Sequence, residues 1–265
     1  MRSSRPSTLF PTSCSDVRRY VLGDVHGQID ELRRAHAWIA ADRARTGEDA
    51  PTVHLGDLTD RGPASAEVIT YLLRGPTQGG PWITIRGNHD FMFRLFLEDP
   101  KLRDPGLNPA YTWLHERLGG VETLESYGVD ASPDRPVADL WAEAKARVPL
   151  AHRMFLDNLP LLHRTDRAVF VHAGIRPGVP LIAQAPQDLM WIRQGWLEDR
   201  RDHGILVVHG HTALDAPVHY GNRVNLDGGA GYGRPLAAAV IEGRDVWLLT
   251  EDGRVPLRPE NVPTT

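Results

Sequence analysis

WITIRGNHDFMFRLFLE, residues 82–98, holds the transition on which the fold turns. The apolar run WITI has the length and composition of a buried strand, FMFRLFLE reads as a helix, and between them RGNHD sets an amide, an imidazole and a carboxylate in a row. Asn and Asp suit turns and helix starts, so GNHD by itself also fits a capped turn. The arrangement recurs upstream. RRYVLGD is a short apolar run ahead of Gln28 to Arg45, where Ile29, Leu32, Trp38 and Ile39 fall at helical offsets. TVHL leads through GDLTDRGP into a segment carrying Val68, Ile69, Leu72 and Leu73, with Pro63 near the helix start. Three successive strand–loop–helix units predict a largely parallel α/β sheet, whose ligand sites lie beyond the carboxyl ends of its strands. All three polar loops fall on that edge.

Downstream, the pattern from about Asp99 to Leu156 is helical and broken by prolines, with Tyr111, Trp113, Leu114, Leu124, Tyr127, Leu140 and Trp141 as expected packing residues. It reads as a helical insertion or cap. Short β runs follow, PLLHR, AVFVHAG, GILVVHGHT, APVHY, RVNLD, LAAAVIE and DVWLLT, which predict a second sheet with hairpins. A helix-rich piece, DLMWIRQGWLEDR, separates the second run from the third. Residues 1–16 have arginines and serines but no apolar core, so a flexible leader is expected there, ahead of one domain over 17–265 with its insertion at about 99–156.

The whole chain of 265 residues, 41% hydrophobic and 24% charged, can bury a substantial core and is not of disordered composition. A formal net charge of -4 argues against a general nucleic-acid surface but allows a local positive pocket. Cys14 is the only cysteine, which excludes an internal disulfide and a thiolate metal cluster. No stretch reaches membrane-spanning length, so the expected compartment is the cytoplasm. Nothing in the chain specifies an oligomeric state.

The polar loops carry the chemistry. Asp24 and His26 in GDVHG stand two apart just after a strand, and extended backbone would turn both to one side. Asp57, Asp60 and Arg61 come from GDLTDRGP, Asn88 and His89 from GNHD, His172 from VHAG, and His209 and His211 from HGHT. Carboxylates and imidazoles converging on one sheet edge are costly when buried and unpaired, and metal removes that cost. Oxygen and nitrogen donors suit manganese, iron or zinc, and the set is too large for one tetrahedral zinc. Two divalent ions sharing a carboxylate, about 3.5–4 Å apart, are therefore expected. Their charge outweighs that of Asp24 and Asp57, and Arg61 strengthens a field suited to phosphate.

In order and spacing, GDVHG, GDLTDRGP, GNHD, VHAG and GHT resemble the motifs of the calcineurin-like metallophosphoesterases, specifically the bacterial form of the phosphoprotein-phosphatase branch. The resemblance runs from Gly23 to Thr212. It implies a four-layer α-β-β-α sandwich of two mixed sheets, with the helical insertion outside. It further implies one metal on Asp24, His26 and Asp57 and a second on Asp57, Asn88, His172 and His211, manganese foremost, with iron or zinc as alternatives. By the same resemblance, a metal-bridging hydroxide attacks phosphorus, His89 protonates the leaving oxygen, Asp60 orients His89, and Arg61 binds the phosphoryl oxygens. Arg193 in MWIR resembles the branch's second phosphate arginine and Arg176 in HAGIRPG is a further candidate, with a structural salt bridge as the alternative for either.

Three positions depart from related patterns. Asp90 replaces the branch's usual glutamate, Ala213 stands where many other metallophosphoesterases end GHxH, and Asp60 is kept where symmetrical dinucleoside tetraphosphatases usually have alanine. His209 reads as a strand-end residue behind the site, His54, His163 and His219 as core or edge residues, and His36, His115, His152 and His203 as solvated. Trp38, Trp113, Trp141, Trp191 and Trp196 read as packing residues, Trp191 also as a wall of the site.

The expected function is a dinuclear-metal phosphomonoesterase acting on a phosphorylated substrate, a phosphoprotein carrying phosphoserine or phosphothreonine or a small phosphoester. The alternatives are hydrolysis of a dinucleoside polyphosphate and, outside enzymes, binding of a phosphate ligand at a vestigial site.

Overall fold

A computed structural model describes residues 18–77 and 79–260, so the expected leader and Cys14 lie outside the described residues. The three predicted units are β1 (Arg18–Leu22) with α1 (Ile29–Thr46), β2 (Thr52–His54) with α2 (Ser65–Arg74), and β3 (Trp82–Thr84) with α3 (Asn88–Glu98). The stretch read as an insertion contains α4 (Gly120–Ser126), α5 (Val137–Arg147) and most of α6 (Leu150–Asn158). Then come β4 (Leu162–Arg164), β5 (Ala168–Val171), α7 (Pro186–Trp191), β6 (Leu206–His209), β7 (Val218–His219), β8 (Arg223–Asn225), β9 (Ala238–Glu242), β10 (Asp245–Thr250) and β11 (Gly253–Pro256).

β1, β2 and β3 pair in parallel, with Val21 opposite Val53 and Val53 opposite Ile83. The predicted hairpin runs do not all form a second sheet. β9 lies antiparallel against the free edge of β1, and β10 and β11 extend from it, giving the order β11-β10-β9-β1-β2-β3. The other five strands make the second sheet, in the order β4-β5-β6-β8-β7. β11 escaped the sequence reading because GRVP is short and ends in proline, a residue tolerated at a sheet edge.

Alternation along the strands sorts the layers. Tyr20 and Leu22 turn outward to pack with Leu32, Ile39 and Val68 of α1 and α2. Val21, Val53 and Ile85 turn inward to meet Phe170, Val208 and Leu226 of the second sheet. Val169 and Val171 face the opposite way, against Leu189, Ile192 and Trp196. The result is the four-layer metallophosphatase sandwich: helices, two mixed sheets face to face, and the α7 segment. No helix among the described residues is long and apolar enough to cross a membrane.

Two histidines expected in solvent are buried. His36 falls on the same face of α1 as Leu32 and Ile39, stacks on Trp82 with ring centroids 4.3 Å apart and lies 3.1 Å from His54 Nε2; burial lowers it to about 4. His152 sits between Tyr127 and Thr70. Conversely, Leu73 is exposed, while Val68, Ile69 and Leu72 are buried.

Asp42, fully buried on α1, accepts two bonds of 2.8 and 2.7 Å from Arg254 on β11 and one of 2.9 Å from Tyr20 Oη. Burial would raise this carboxyl, but the Arg254 and Tyr20 bonds outweigh it and hold its pKa low. Its stabilisation is therefore present above the ordinary carboxylate pKa and is lost as pH falls through the lowered one. Asp42→Ala leaves Arg254 its 3.1 Å contact to Glu242 but takes the acceptor from Tyr20 Oη, and should cost about 1–3 kcal/mol in urea denaturation; an unchanged midpoint would contradict that.

Candidate metal centre and active-site cavity

Five non-glycine residues among those described have a positive φ: His26 at 45°, Asp57 at 47°, Asp60 at 74°, Arg61 at 67° and His211 at 65°. All five belong to the predicted site, and such strain persists only where the surroundings impose it. His26 is therefore not in extended backbone, and alternation does not bring it beside Asp24. The two loops interlock instead: Val25 and His26 N donate to Asp57 O at 3.0 and 2.8 Å, and Gly27 N donates to Leu58 O at 2.8 Å.

Asp57 sits at the middle of the convergence. A Cβ on Gly87 would stand 2.1 Å from Asp57 Oδ1 and 2.2 Å from its backbone N, so only glycine lets the α3 N-terminus close over this carboxylate. There His89 N donates to Asp57 Oδ1 at 3.0 Å. Gly87→Ala should lose about 1–3 kcal/mol of stability and displace Asp57. Urea denaturation and metal analysis check both; native metal content in that variant would contradict the displacement.

His172 Nε2 lies 3.4 Å from Asp57 Oδ1 and His26 Nε2 3.6 Å from Oδ2, so each oxygen faces a different histidine. The Nδ1 atoms of these rings donate to backbone carbonyls, His172 to Leu55 at 2.9 Å and His26 to Thr59 at 2.9 Å, which fixes the tautomers and presents Nε2 inward. Two groups of potential ligand atoms, each within 4.8 Å, share Asp57: His26, Asp57 and His89, and Asp57, His172 and His211. Asn88 Oδ1 joins the second at 2.9 Å from His172 Nε2.

Asp24 belongs to neither group. One of its oxygens accepts from His211 N at 2.9 Å, while Oδ1 is buried without a hydrogen-bond partner, as is His211 Nε2. These orphaned donor atoms and the shared carboxylate fit divalent metal ions. Burial, then repulsion from Asp227, pushes Asp24 well above the usual carboxylate range. Asp57 would also rise on burial, but His172 and His89 more than offset this and hold it well below its ordinary value. Asp227, buried beside them, was missed by the sequence reading. Like the other site residues it ends an apolar run, RVNLD, and that was the available signal.

The Asp60–His89 pair is built by the insertion. His89 Nδ1 lies 2.7 Å from Asp60 Oδ2, which also accepts from Trp113 Nε1 at 2.9 Å; Thr123 Oγ1 donates to Asp60 Oδ1 at 2.7 Å. Arg61 N donates to Gly119 O at 3.2 Å. Trp113, read as a packing residue, does pack on Phe93 and Phe96, but its N–H also orients Asp60. Burial raises Asp60 to about 8 despite its donors, and burial lowers His89 to about 3. Asp90 accepts from Gly87 N and Leu58 N, both at 2.9 Å, so the shorter acid ties the second and third loops together.

A cavity of about 750 Å³ opens over Asp57, Asn88, His89 and His211. Arg61 and Arg193 line it, with Arg61 Nη1 at 2.5 Å from His26 Nε2 and Arg193 Nη2 donating to His211 O at 3.3 Å. Arg176 also lines it, but its guanidinium is held bidentate by Asp188 at 2.7 and 2.5 Å. Trp191 walls the cavity edge-on to His211 at 5.8 Å. His209 lies behind, against Trp196, outside both ligand groups.

Two face-to-face mixed sheets with histidines and aspartates gathered at their strand ends define a metallophosphoesterase. The chain belongs to the calcineurin-like phosphoesterases, whose family profile matches residues 17–235, and it is a metal-dependent phosphoric ester hydrolase. It is similar to the asymmetrical bis(5'-nucleosyl)-tetraphosphatase PrpE of Anoxybacillus flavithermus, 26% identical over 241 residues covering 82% of this chain and 88% of that one. A symmetrical bis(5'-nucleosyl)-tetraphosphatase of Nitrosococcus oceani is 30% identical over 161 residues, 60% of this chain and 44% of the relative. Among solved structures, a cold-active protein tyrosine phosphatase superposes with a TM-score of 0.61 at 17% identity, covering 92% of this chain and 79% of the other, a likeness of fold.

Proposed function

We propose that the protein hydrolyses a phosphoric anhydride of a bis(5'-nucleosyl) tetraphosphate or a related nucleoside polyphosphate. The observation that carries this is the cavity, whose floor is ionic and metal-compatible and whose walls reach Tyr111 and Trp191, with a volume in the range of small-molecule sites. The names of the relatives matched over most of the chain point to the same substrate class. The sequence reading placed a phosphomonoester substrate first and this one second; the relatives favour the second.

Two divalent metals, manganese foremost, held by Asp24, His26 and Asp57 and by Asp57, Asn88, His172 and His211, would supply an activated water and neutralise phosphoryl charge. Arg61 and Arg193 bind and orient the phosphoryl oxygens, with Arg176 at the rim once released from Asp188. His89 gives the leaving oxygen its proton. Asp60, 2.7 Å from His89 Nδ1, orients the imidazole and offsets the charge it carries when protonated. In this relay Nδ1–H is held by Asp60, the Nε2–H bond of protonated His89 breaks as the leaving O–H forms, and the neutral imidazole left behind can accept at Nε2 from Arg61 Nη2, 3.2 Å away.

This relay also favours a second reading, a phosphoserine or phosphothreonine substrate. An alkoxide needs a proton on departure more than a phosphate does, whose own pKa is about 6. The test compares kcat/KM on bis(5'-adenosyl) tetraphosphate with that on a phosphoserine peptide, both with manganese. At least tenfold preference for the anhydride is expected; the reverse order would sink the nucleotide reading.

A further inference from the structure

One wall of the cavity is made by the segment that follows α3, and a single buried side chain holds it. Asp104 is 3% exposed, and its Oδ2 accepts from Trp191 Nε1 at 3.0 Å. Its Oδ1 accepts from Gly106 N at 2.8 Å and Gln187 Nε2 at 3.3 Å. All three donors are neutral, so a buried carboxylate gathers a loop and a helix that both line the cavity. A Cβ on Gly106 would stand 2.1 Å from Gln187 Nε2 and 2.5 Å from Trp191 Cγ, so the loop lies flat on that indole. At its far end Arg103 Nη1 donates to Tyr111 O at 2.7 Å, which fixes the turn carrying Leu107 and Tyr111.

We propose that Asp104 is a positioning residue for substrate selection: it clamps the 104–111 loop to Trp191 and so builds the apolar wall on which the nucleoside end of a polyphosphate substrate rests. The inference relies on the nucleotide reading above. Its chemistry follows from the cavity's two ends. Arg61, Asn88 and Arg193 at the floor suit phosphates, whereas Leu107, Tyr111 and Trp191 offer apolar and π surface suited to a base. A small aryl phosphate occupies the floor without needing the wall. The clamp uses charge-assisted bonds, which a neutral replacement weakens.

The test measures KM and kcat of the manganese-loaded enzyme on 4-nitrophenyl phosphate and on bis(5'-adenosyl) tetraphosphate for wild type, Asp104→Ala, Asp104→Asn and Arg103→Ala. In Asp104→Ala, KM for the dinucleotide is expected to rise about tenfold or more, with both constants for the aryl phosphate within about twofold of wild type. Asp104→Asn, which keeps an acceptor for Gly106 N, should recover part of the loss. Arg103 is exposed and lies outside the cavity lining; Arg103→Ala, which frees Tyr111 O on the same loop, should show the same selective change and decides the matter if Asp104→Ala does not fold. Equal losses on both substrates, or an unchanged dinucleotide KM, would overturn the clamp. A wild-type enzyme that turns over the aryl phosphate but not the dinucleotide would overturn the nucleotide reading itself, an outcome visible before any variant is made.

Discussion

His89→Asn is expected to keep its metal while losing about 10²–10⁴-fold in turnover, the range for removal of a general acid. The geometry behind this is the 2.7 Å contact between His89 Nδ1 and Asp60 Oδ2, which leaves Nε2 on the cavity side, 3.2 Å from Arg61 Nη2. His89 nevertheless stands with His26 and Asp57 in one group of potential ligand atoms, its ring 4.8 Å from that of His26. Metal analysis beside the kinetics separates the two roles. Loss of metal with loss of turnover would make His89 a ligand; metal retained with turnover lost would make it the proton donor. The loss should be smaller on an aryl phosphate with a good leaving group than on an alkyl ester, because only the second needs the proton.

Asp57→Asn should do more. This residue alone is common to both ligand groups, with one oxygen 3.4 Å from His172 Nε2 and the other 3.6 Å from His26 Nε2. Replacing a partner that merely orients a ligand weakens metal binding by about 10–100-fold, so removing the shared charge should exceed that at both positions together. Turnover should fall by at least the 10²–10⁴-fold expected for His89. Asp24→Asn provides the contrast, since Asp24 borders the centre from one side and should weaken one metal more than the other. Retention of two metals by Asp57→Asn, counted per chain by elemental analysis, would refute the bridging role.

Much of this was legible along the chain. WITI, TVHL and RRYVL differ from the helices that follow them in period as well as composition, so the three units and the edge carrying GDVHG, GDLTDRGP and GNHD could be placed before any geometry was known. Their polar residues are also the ones brought together, because a parallel sheet delivers every strand's carboxyl end to the same side. His36 was legible too, lying on the helical stripe of Leu32 and Ile39, yet polarity argued for solvent.

What the chain determined by itself is local: which runs become strands, which loops carry donors, and that oxygen and nitrogen atoms without thiolate must share a metal-compatible edge. Tertiary structure decided what depends on long-range pairing. Nothing local tells LAAAVIE to join β1 instead of the second sheet; that follows from the open edge of β1 and the burial available there. Nothing local tells Trp113 and Thr123 to hold Asp60 across more than fifty residues, or Asp104 to hold Trp191. The loops take left-handed backbone at His26, Asp57, Asp60, Arg61 and His211 only because neighbouring loops hydrogen-bond them there. Five such conformations held together are imposed by the assembled fold, since left-handed backbone is only a minority state for each of these residues outside it.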